Sequence, residues 1–170
     1  MIGLYREYLI QKLKDAGIKS TVHTSMKKLS ISQESHVGAV LFEGDKFDRS
    51  GSKTIYRDQG GDKRKRSKIF DRNTVFNVTI GEYDQAKCEA IFEKFMGSLE
   101  KGILVDGNFI PIEVEEADWV DKEDSILKAK VAVQIKVRFD GGIYKDTDFA
   151  KVNEYKVENI ESVKEIGYGE

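Results

Sequence analysis

Cysteine, proline and histidine are scarce in this sequence, and two of these scarcities exclude a class of site. The 170 residues include one cysteine, one proline and two histidines. Cys88 alone cannot form an internal disulfide, and without a CxxC pair the chain lacks the usual ligands of a structural zinc ion. His23 and His36 belong to no HExxH motif, and no GxSxG is present, so the sequence does not predict a histidine-based active site.

Long apolar runs are also missing. No segment approaches the roughly 18 apolar residues that a membrane span requires, so we do not expect a membrane protein. The first residues, MIGLYRE, lack a basic segment followed by an apolar one, which is the pattern of a secretory signal. We therefore expect the mature chain to start at Met1 and to be made in the cytosol.

A strong charge of one sign is absent as well. The chain has 28 Lys and Arg against 30 Asp and Glu, with a formal net charge of −2. A nucleic-acid-binding domain usually has a basic excess over a whole surface, and here the excess is confined to one segment. With a single proline and no Ser/Pro-rich linker, the sequence predicts one domain.

Hydrophobic periodicity predicts two helices and several strands. Residues 2–16 place apolar side chains on one helical stripe, and Asp84 is a suitable N-cap for a second helix that reaches Gly102. Alternating or continuous apolar residues predict strands at 18–23, 37–42, 70–80, 103–105, 109–114 and 126–139, with a tight turn at Asp106-Gly107. This order favours an α+β fold in which two helices pack on one face of a mainly antiparallel sheet.

Two segments do not fit this pattern. Residues 43–68 are too long and polar for an ordinary loop, so we expect a long projecting loop, or a hairpin in which residues 53–57 pair with those before Ile69. Residues 143–170 carry few apolar side chains and are predicted to form a C-terminal arm. The expected division is therefore a domain of residues 1–142 followed by this arm.

The most conspicuous charged segment is the basic run in the second half of the expected loop. Phosphate binding is one interpretation, because a projecting loop could carry these cations to a nucleic acid. Contact with protein is favoured, because no aromatic residues are interleaved with the cations and nearby aspartates dilute them. The candidate interface residues of this segment are Lys63, Arg64, Lys65, Arg66, Lys68 and Arg72.

Two further rows of charge lie near the end of the predicted sheet. The outer face of the last strand carries Lys128, Lys130, Lys136 and Arg138, and a solvated sheet face or contact with another subunit would each explain them. Glu113 and Glu115 would point the same way on their strand, as carboxylates do in glycosidase and metal sites. A charged edge that blocks aggregation is the simpler interpretation, and an enzyme site there is the alternative.

The order of elements resembles one known family. The segments "FNVTIGEYDQAKCEAIFEKFMGSL", "IPIEVEEADW" and "KAKVAVQIKVRF", together with the N-terminal helix and the long loop, look like the tail terminator proteins of long-tailed bacteriophages. The similarity in layout covers about residues 2 to 140 and rests on no invariant motif.

This resemblance implies a structural protein of the phage tail, made in the cytoplasm of the host bacterium, and not an enzyme. Six copies would form a ring at the head-proximal end of the tail tube, stop tube growth and provide the surface on which the head connector docks. The implied partners are further copies of the chain, the tube protein, the connector protein and, in contractile particles, the sheath protein. DNA would only pass through the ring, and no cofactor, metal or membrane is implied.

Overall fold

The computed structural model describes residues 1–32, 34–121 and 131–149 of the chain. These residues contain nine elements, three helices and six strands. In chain order they are α1 (Ile2–Ala16), α2 (Met26–Ile31), β1 (Val37–Arg49), β2 (Lys53–Arg57), β3 (Lys63–Glu82), α3 (Gln85–Ser98), β4 (Gly102–Val105), β5 (Asn108–Asp121) and β6 (Val131–Asp148).

The six strands form one antiparallel sheet. Their order is β1-β3-β6-β5-β4, and β2 pairs with the first part of β3. The centre consists of β3 and β6, which pair from Arg64 opposite Asp148 to Glu82 opposite Val131. The predicted α+β class with a mainly antiparallel sheet is confirmed.

Helices α1 and α3 cover one face of this sheet, which we call the helix-side face. Leu9, Leu13 and Phe95 of these helices are fully buried against Val133 and Phe139 of β6 in one apolar cluster. The Tyr5 ring stacks on Phe139 with centroids 4.4 Å apart. Both predicted helices are present, and Asp84 caps α3 by accepting a hydrogen bond from the Lys87 N–H.

Helix α2 packs on the opposite side, which we call the far face. Leu29 is buried there with Val37 and Ala39 of β1 and Ala132 of β6. The sequence pattern did not predict this helix, because six residues are too few to show a helical period. The N-cap was visible: the Ser25 side chain accepts a hydrogen bond from the Lys28 N–H.

The prediction of a strand at residues 18–23 was wrong. Ile18 and Val22 are buried, which accounts for the apolar alternation, but a strand also needs a hydrogen-bonding partner along its length. Only His23 reaches β1, where its N–H bonds to the Gly38 carbonyl and its own carbonyl accepts from Val40. The segment therefore forms a single bridge.

The prediction of a long loop at residues 43–68 was also wrong, while the hairpin alternative is confirmed. Residues 43–49 continue β1, residues 53–57 form β2, and residues 63–68 begin β3, with Lys53 opposite Ser67. Together with residues 69–73 and the end of β6, they extend the sheet beyond the helices. We call residues 43–73 and 140–148 the arm.

The end of β6 also differs from expectation. The strand continues to Asp148, so residues 143–148 belong to the sheet, although they were assigned to the C-terminal arm. Residues 150–170 and residues 122–130 lie outside the described part, and the domain division stays a prediction. The β4–β5 hairpin is as expected, with Asp106 (φ 50°) and Gly107 (φ 75°) at its turn.

Of the three helices in the described part of the chain, none combines the length and apolarity that crossing a membrane requires.

Candidate protein interface on the projecting arm

Strand alternation divides the basic run between the two faces of the arm. Successive side chains of a strand point to opposite faces, and residues directly opposite each other on neighbouring strands share a face. Arg64 and Arg66 lie opposite Asp148 and Asp146, whereas Lys65 lies opposite Thr147. The six residues that the sequence suggested as one patch therefore belong to two different surfaces.

The arginines of the run lie on the far face, and each is paired within the chain. Arg64 binds Asp58 at 2.8 Å and also contacts Asp148. Arg66 holds Asp146 with two hydrogen bonds of 2.8 Å, from Nε to Oδ1 and from Nη2 to Oδ2. These bonds raise the pKa of Arg66 and lower the pKa of Asp146, so both groups stay ionised.

Additional contacts hold Arg66 in place. Its guanidinium lies 4.8 Å from the centroid of the Tyr56 ring, and its Nη1 donates to the Asp106 carbonyl at 3.1 Å. The arm is thereby tied to the turn of the β4–β5 hairpin. Lys68, the next cation on this face, pairs with Asp71 at 2.5 Å.

The cation at the root of the arm is paired as well. Arg72 binds Asp45 of β1 at 2.6 Å, and the Thr74 hydroxyl donates to the same carboxylate at 2.6 Å. Burial opposes ionisation of Asp45, but these two hydrogen bonds prevail and its pKa is lowered. Arg72 therefore stabilises the junction of β1 and β3, and it is mostly buried.

The helix-side face of the arm is different. Odd-numbered residues of β6 point to this face. Up to Phe139 they are buried beneath the helices, and farther along the strand they are Ile143, Lys145 and Thr147. Apart from Arg72 at its root, the cations that share it make no ion pair with any residue that the structure describes. They form what we call the cationic patch: Arg49, Lys53, Arg57, Lys63, Lys65 and Lys145.

A second cluster lies on the far face, at the root of the arm and on the adjoining parts of β5 and β6. Arg138 contacts Glu113 and Glu115 of β5 and Asp140 of its own strand. Lys136 lies 3.7 Å from Glu43 and 3.9 Å from Glu116. We call the carboxylates of this surface the acidic patch: Glu43, Glu113, Glu115, Glu116, Asp118 and Asp140.

The structure thus brings four of the predicted site residues together. Glu113, Glu115, Lys136 and Arg138 lie side by side on β5 and β6, although the sequence suggested two separate charged rows. Lys128 and Lys130, the other two members of the basic row, lie outside the described residues.

The long-range ion pairs of the arm were missed by sequence reasoning. Arg66 and Asp146 are 80 residues apart, and their pairing depends on the register of β3 against β6. A signal was present, since Asp146 and Asp148 have the same two-residue spacing as Arg64 and Arg66.

The ion pairs of the basic run also weaken the nucleic-acid interpretation. The run has six cations from Lys63 to Arg72, and Lys145 lies beside it on β6. Four of these seven are already neutralised by carboxylates of the chain.

The surroundings of His36 show what this imidazole does. Its Nδ1 contacts Glu82, which is 2% exposed, and its Nε2 accepts a hydrogen bond of 2.9 Å from the Lys19 N–H. An accepting Nε2 carries no proton, so the ring is the neutral Nδ1–H tautomer. His36 therefore links the segment after α1 to β3.

Within the described ranges, no group of three or more His, Cys, Asp or Glu residues could hold a metal ion.

Comparison with known proteins finds similarity to solved structures and none at the level of sequence families. No family model and no curated protein matches the chain. The sheath/tube terminator of the PVC extracellular contractile injection system, determined by cryo-EM in its extended state, resembles it with a TM-score of 0.49 and 10% sequence identity. The match covers 95% of this chain and 64% of that one, so this chain spans less than two thirds of its length.

Proposed function

We propose that the protein is the terminator of a phage-type tail: a structural, non-enzymatic subunit that forms a ring on the head-proximal end of the tail tube. The observation that carries the proposal is the separation of charge on one chain. The cationic patch lies on the helix-side face of the arm, and the acidic patch lies on the far face of the sheet. These surfaces point in different directions.

A ring of identical subunits needs this kind of arrangement. In a head-to-tail interface, one surface of a subunit binds a different surface of the next, and the contact repeats until the ring closes. Two patches of opposite charge on separate faces can serve as the two halves of such a contact. A two-fold dimer would have to place both patches within a single self-complementary surface, which their positions on opposite faces of the sheet do not favour.

The order of the helices and strands along the chain supports the terminator role in particular. The N-terminal helix, the long hairpin, the strand that leads into α3 and the β4–β5 hairpin come in an order that resembles the layout of the tail terminator proteins. In this role the ring stops tube polymerisation and offers its other side to the head connector, and in a contractile particle it also contacts the sheath. DNA passes through the ring, no cofactor takes part, and the location is the tail of the particle.

Tail length is the property that tests this function. In the bacterium that carries the gene, its deletion should give tail tubes of variable and excessive length without heads, as seen by negative-stain electron microscopy. A plasmid copy of the wild-type gene should restore tubes of one length. If the deletion strain makes particles with tubes of normal length and attached heads, the proposed function is wrong.

A further inference from the structure

The cationic patch carries a repulsion that no carboxylate in the described part of the chain relieves by an ion pair. Lys63 lies directly opposite Arg57, and Lys53 and Lys145 flank Ser67 on its two sides. Like charges that are directly opposite each other on a sheet are destabilising. The far face of the same strands has a carboxylate partner for each of Arg64, Arg66 and Lys68, so the missing counter-charges are particular to the helix-side face.

Apolar side chains lie among these cations and are open to solvent. Ile55, which lies opposite Lys65, is 62% exposed, and Phe47 and Ile143 are 47% and 42% exposed. A surface that mixes exposed apolar groups with unpaired cations is suited to a partner that covers the first and neutralises the second. The helices end before this point and do not cover it.

The aromatic rings of the patch favour a protein over a nucleic acid. Arg49 lies 4.5 Å from the centroid of the Phe70 ring, and Arg72 lies 5.7 Å from that of Phe47. The two rings also contact each other edge to face, with centroids 6.4 Å apart. Bases stack on free aromatic faces, and a guanidinium already occupies one position over each of these rings.

A surface with the matching charge exists on the same chain. The acidic patch has six carboxylates around Lys136 and Arg138, and Lys46 of β1 lines a pocket on the same surface, which leaves a formal excess of three negative charges. Glu116 is 3.9 Å from the nearest cation, and Asp118 has no ion pair among the residues that the structure describes. These two carboxylates can therefore accept cations from outside without breaking the Arg138 cluster.

We propose that the cationic patch on the arm of one copy docks on the acidic patch of a second copy. This inference rests on the self-association part of the proposed function and names the two surfaces that form the contact. It assigns different roles to neighbouring residues of one basic run: Lys63 and Lys65 contact the next subunit, whereas Arg64 and Arg66 hold the arm itself together.

Charge reversal on each side tests the pairing. One variant carries Lys63→Glu and Lys65→Glu, and a second carries Glu116→Lys and Asp118→Lys. A control carries Lys14→Glu on α1 and Lys94→Glu on α3, which matches the charge change of the first variant on exposed residues that belong to neither patch. Circular dichroism and thermal unfolding establish that each protein is folded. Sedimentation equilibrium at about 0.15 M salt then gives the association constants.

The wild type and the control should associate alike, and each reversed variant alone should associate at least about tenfold more weakly, because like charges now meet across the contact. An equimolar mixture of the two reversed variants should recover association, since every contact between one variant and the other again joins opposite charges, in either orientation. Raising the salt concentration should weaken the wild-type contact.

Other outcomes would overturn the inference in distinguishable ways. If the wild type associates and both reversed variants associate equally well, the ring uses other surfaces, and the proposed function stands without this contact. If the wild type is a monomer at all concentrations and binds a fluorescent DNA duplex through Lys63 and Lys65, the patch is a nucleic-acid surface. A monomer that binds neither itself nor DNA also contradicts the pairing.

Discussion

Truncation of a core leucine tests how the helices are held on the sheet. Leu9 of α1 is 0% exposed and packs in the cluster between α1, α3 and the central strands. Leu9→Ala removes about three carbon groups, which are worth about 0.8 kcal/mol each when they are buried. The cavity left behind adds to this loss, so we expect the free energy of unfolding to fall by about 3 to 4 kcal/mol.

A leucine on the surface provides the matched control. Leu104 of β4 is 76% exposed, and Leu104→Ala should change the free energy of unfolding by less than about 0.5 kcal/mol. Urea unfolding followed by circular dichroism measures both, and the melting temperature of Leu9→Ala should fall by about 10 °C. If the Leu9 variant loses less than about 1 kcal/mol, or no more than the Leu104 variant, α1 does not pack on the sheet as described.

Three further predictions concern a carboxylate, a thiol and a turn. Hydrogen bonding, first of all from Lys12, lowers the pKa of Glu100 from 4.5 to about 2, so the stabilisation from this ion pair is present above about pH 4.5 and disappears as the pH falls toward 2. Because the pair is exposed, Glu100→Gln should lower the free energy of unfolding by only about 0.5 kcal/mol at about pH 7 and by nothing at about pH 2. Urea unfolding at each pH measures this difference. Burial raises the pKa of Cys88 to about 11, so Ellman's reagent should react about a hundredfold more slowly with the folded chain than with the chain in guanidinium, and equal rates would contradict this burial. Gly107→Ala should cost about 1 kcal/mol because φ is 75° there, whereas Gly97→Ala, with open space around a new Cβ in α3, should be neutral or stabilising in the same thermal melts.

Local periodicity was enough to predict the parts of the fold that have one buried face. The stripe of α1 and the alternation of Phe76, Val78 and Ile80 in β3 reflect burial directly, and α1 and the second half of β3 were located correctly. The first half of β3 has no such alternation of apolar and polar residues, because both of its faces are at least partly exposed. Polar and charged residues there were mistaken for a loop, although β1, β2 and β6 supply hydrogen bonds along the whole length.

The candidate interface shows a different limit. Sequence reasoning found Lys63 to Lys68 as a basic segment, but the pairing of alternate residues depends on which strand lies beside it. The register of β6 places Asp146 beside Arg66 and leaves Lys65 opposite Thr147, and no local pattern contains that information. The same register joins Arg138 to Glu113, which were predicted as members of separate rows.

The proposed ring is tested most directly by the mass of the protein in solution. Light scattering of the purified full-length chain over a range of concentrations, with negative-stain imaging of the same samples, measures both the number of copies and their arrangement. We expect closed rings of about six subunits. A protein that keeps the 19.3 kDa mass of a single chain at every concentration, or that forms only two-fold dimers, would contradict it.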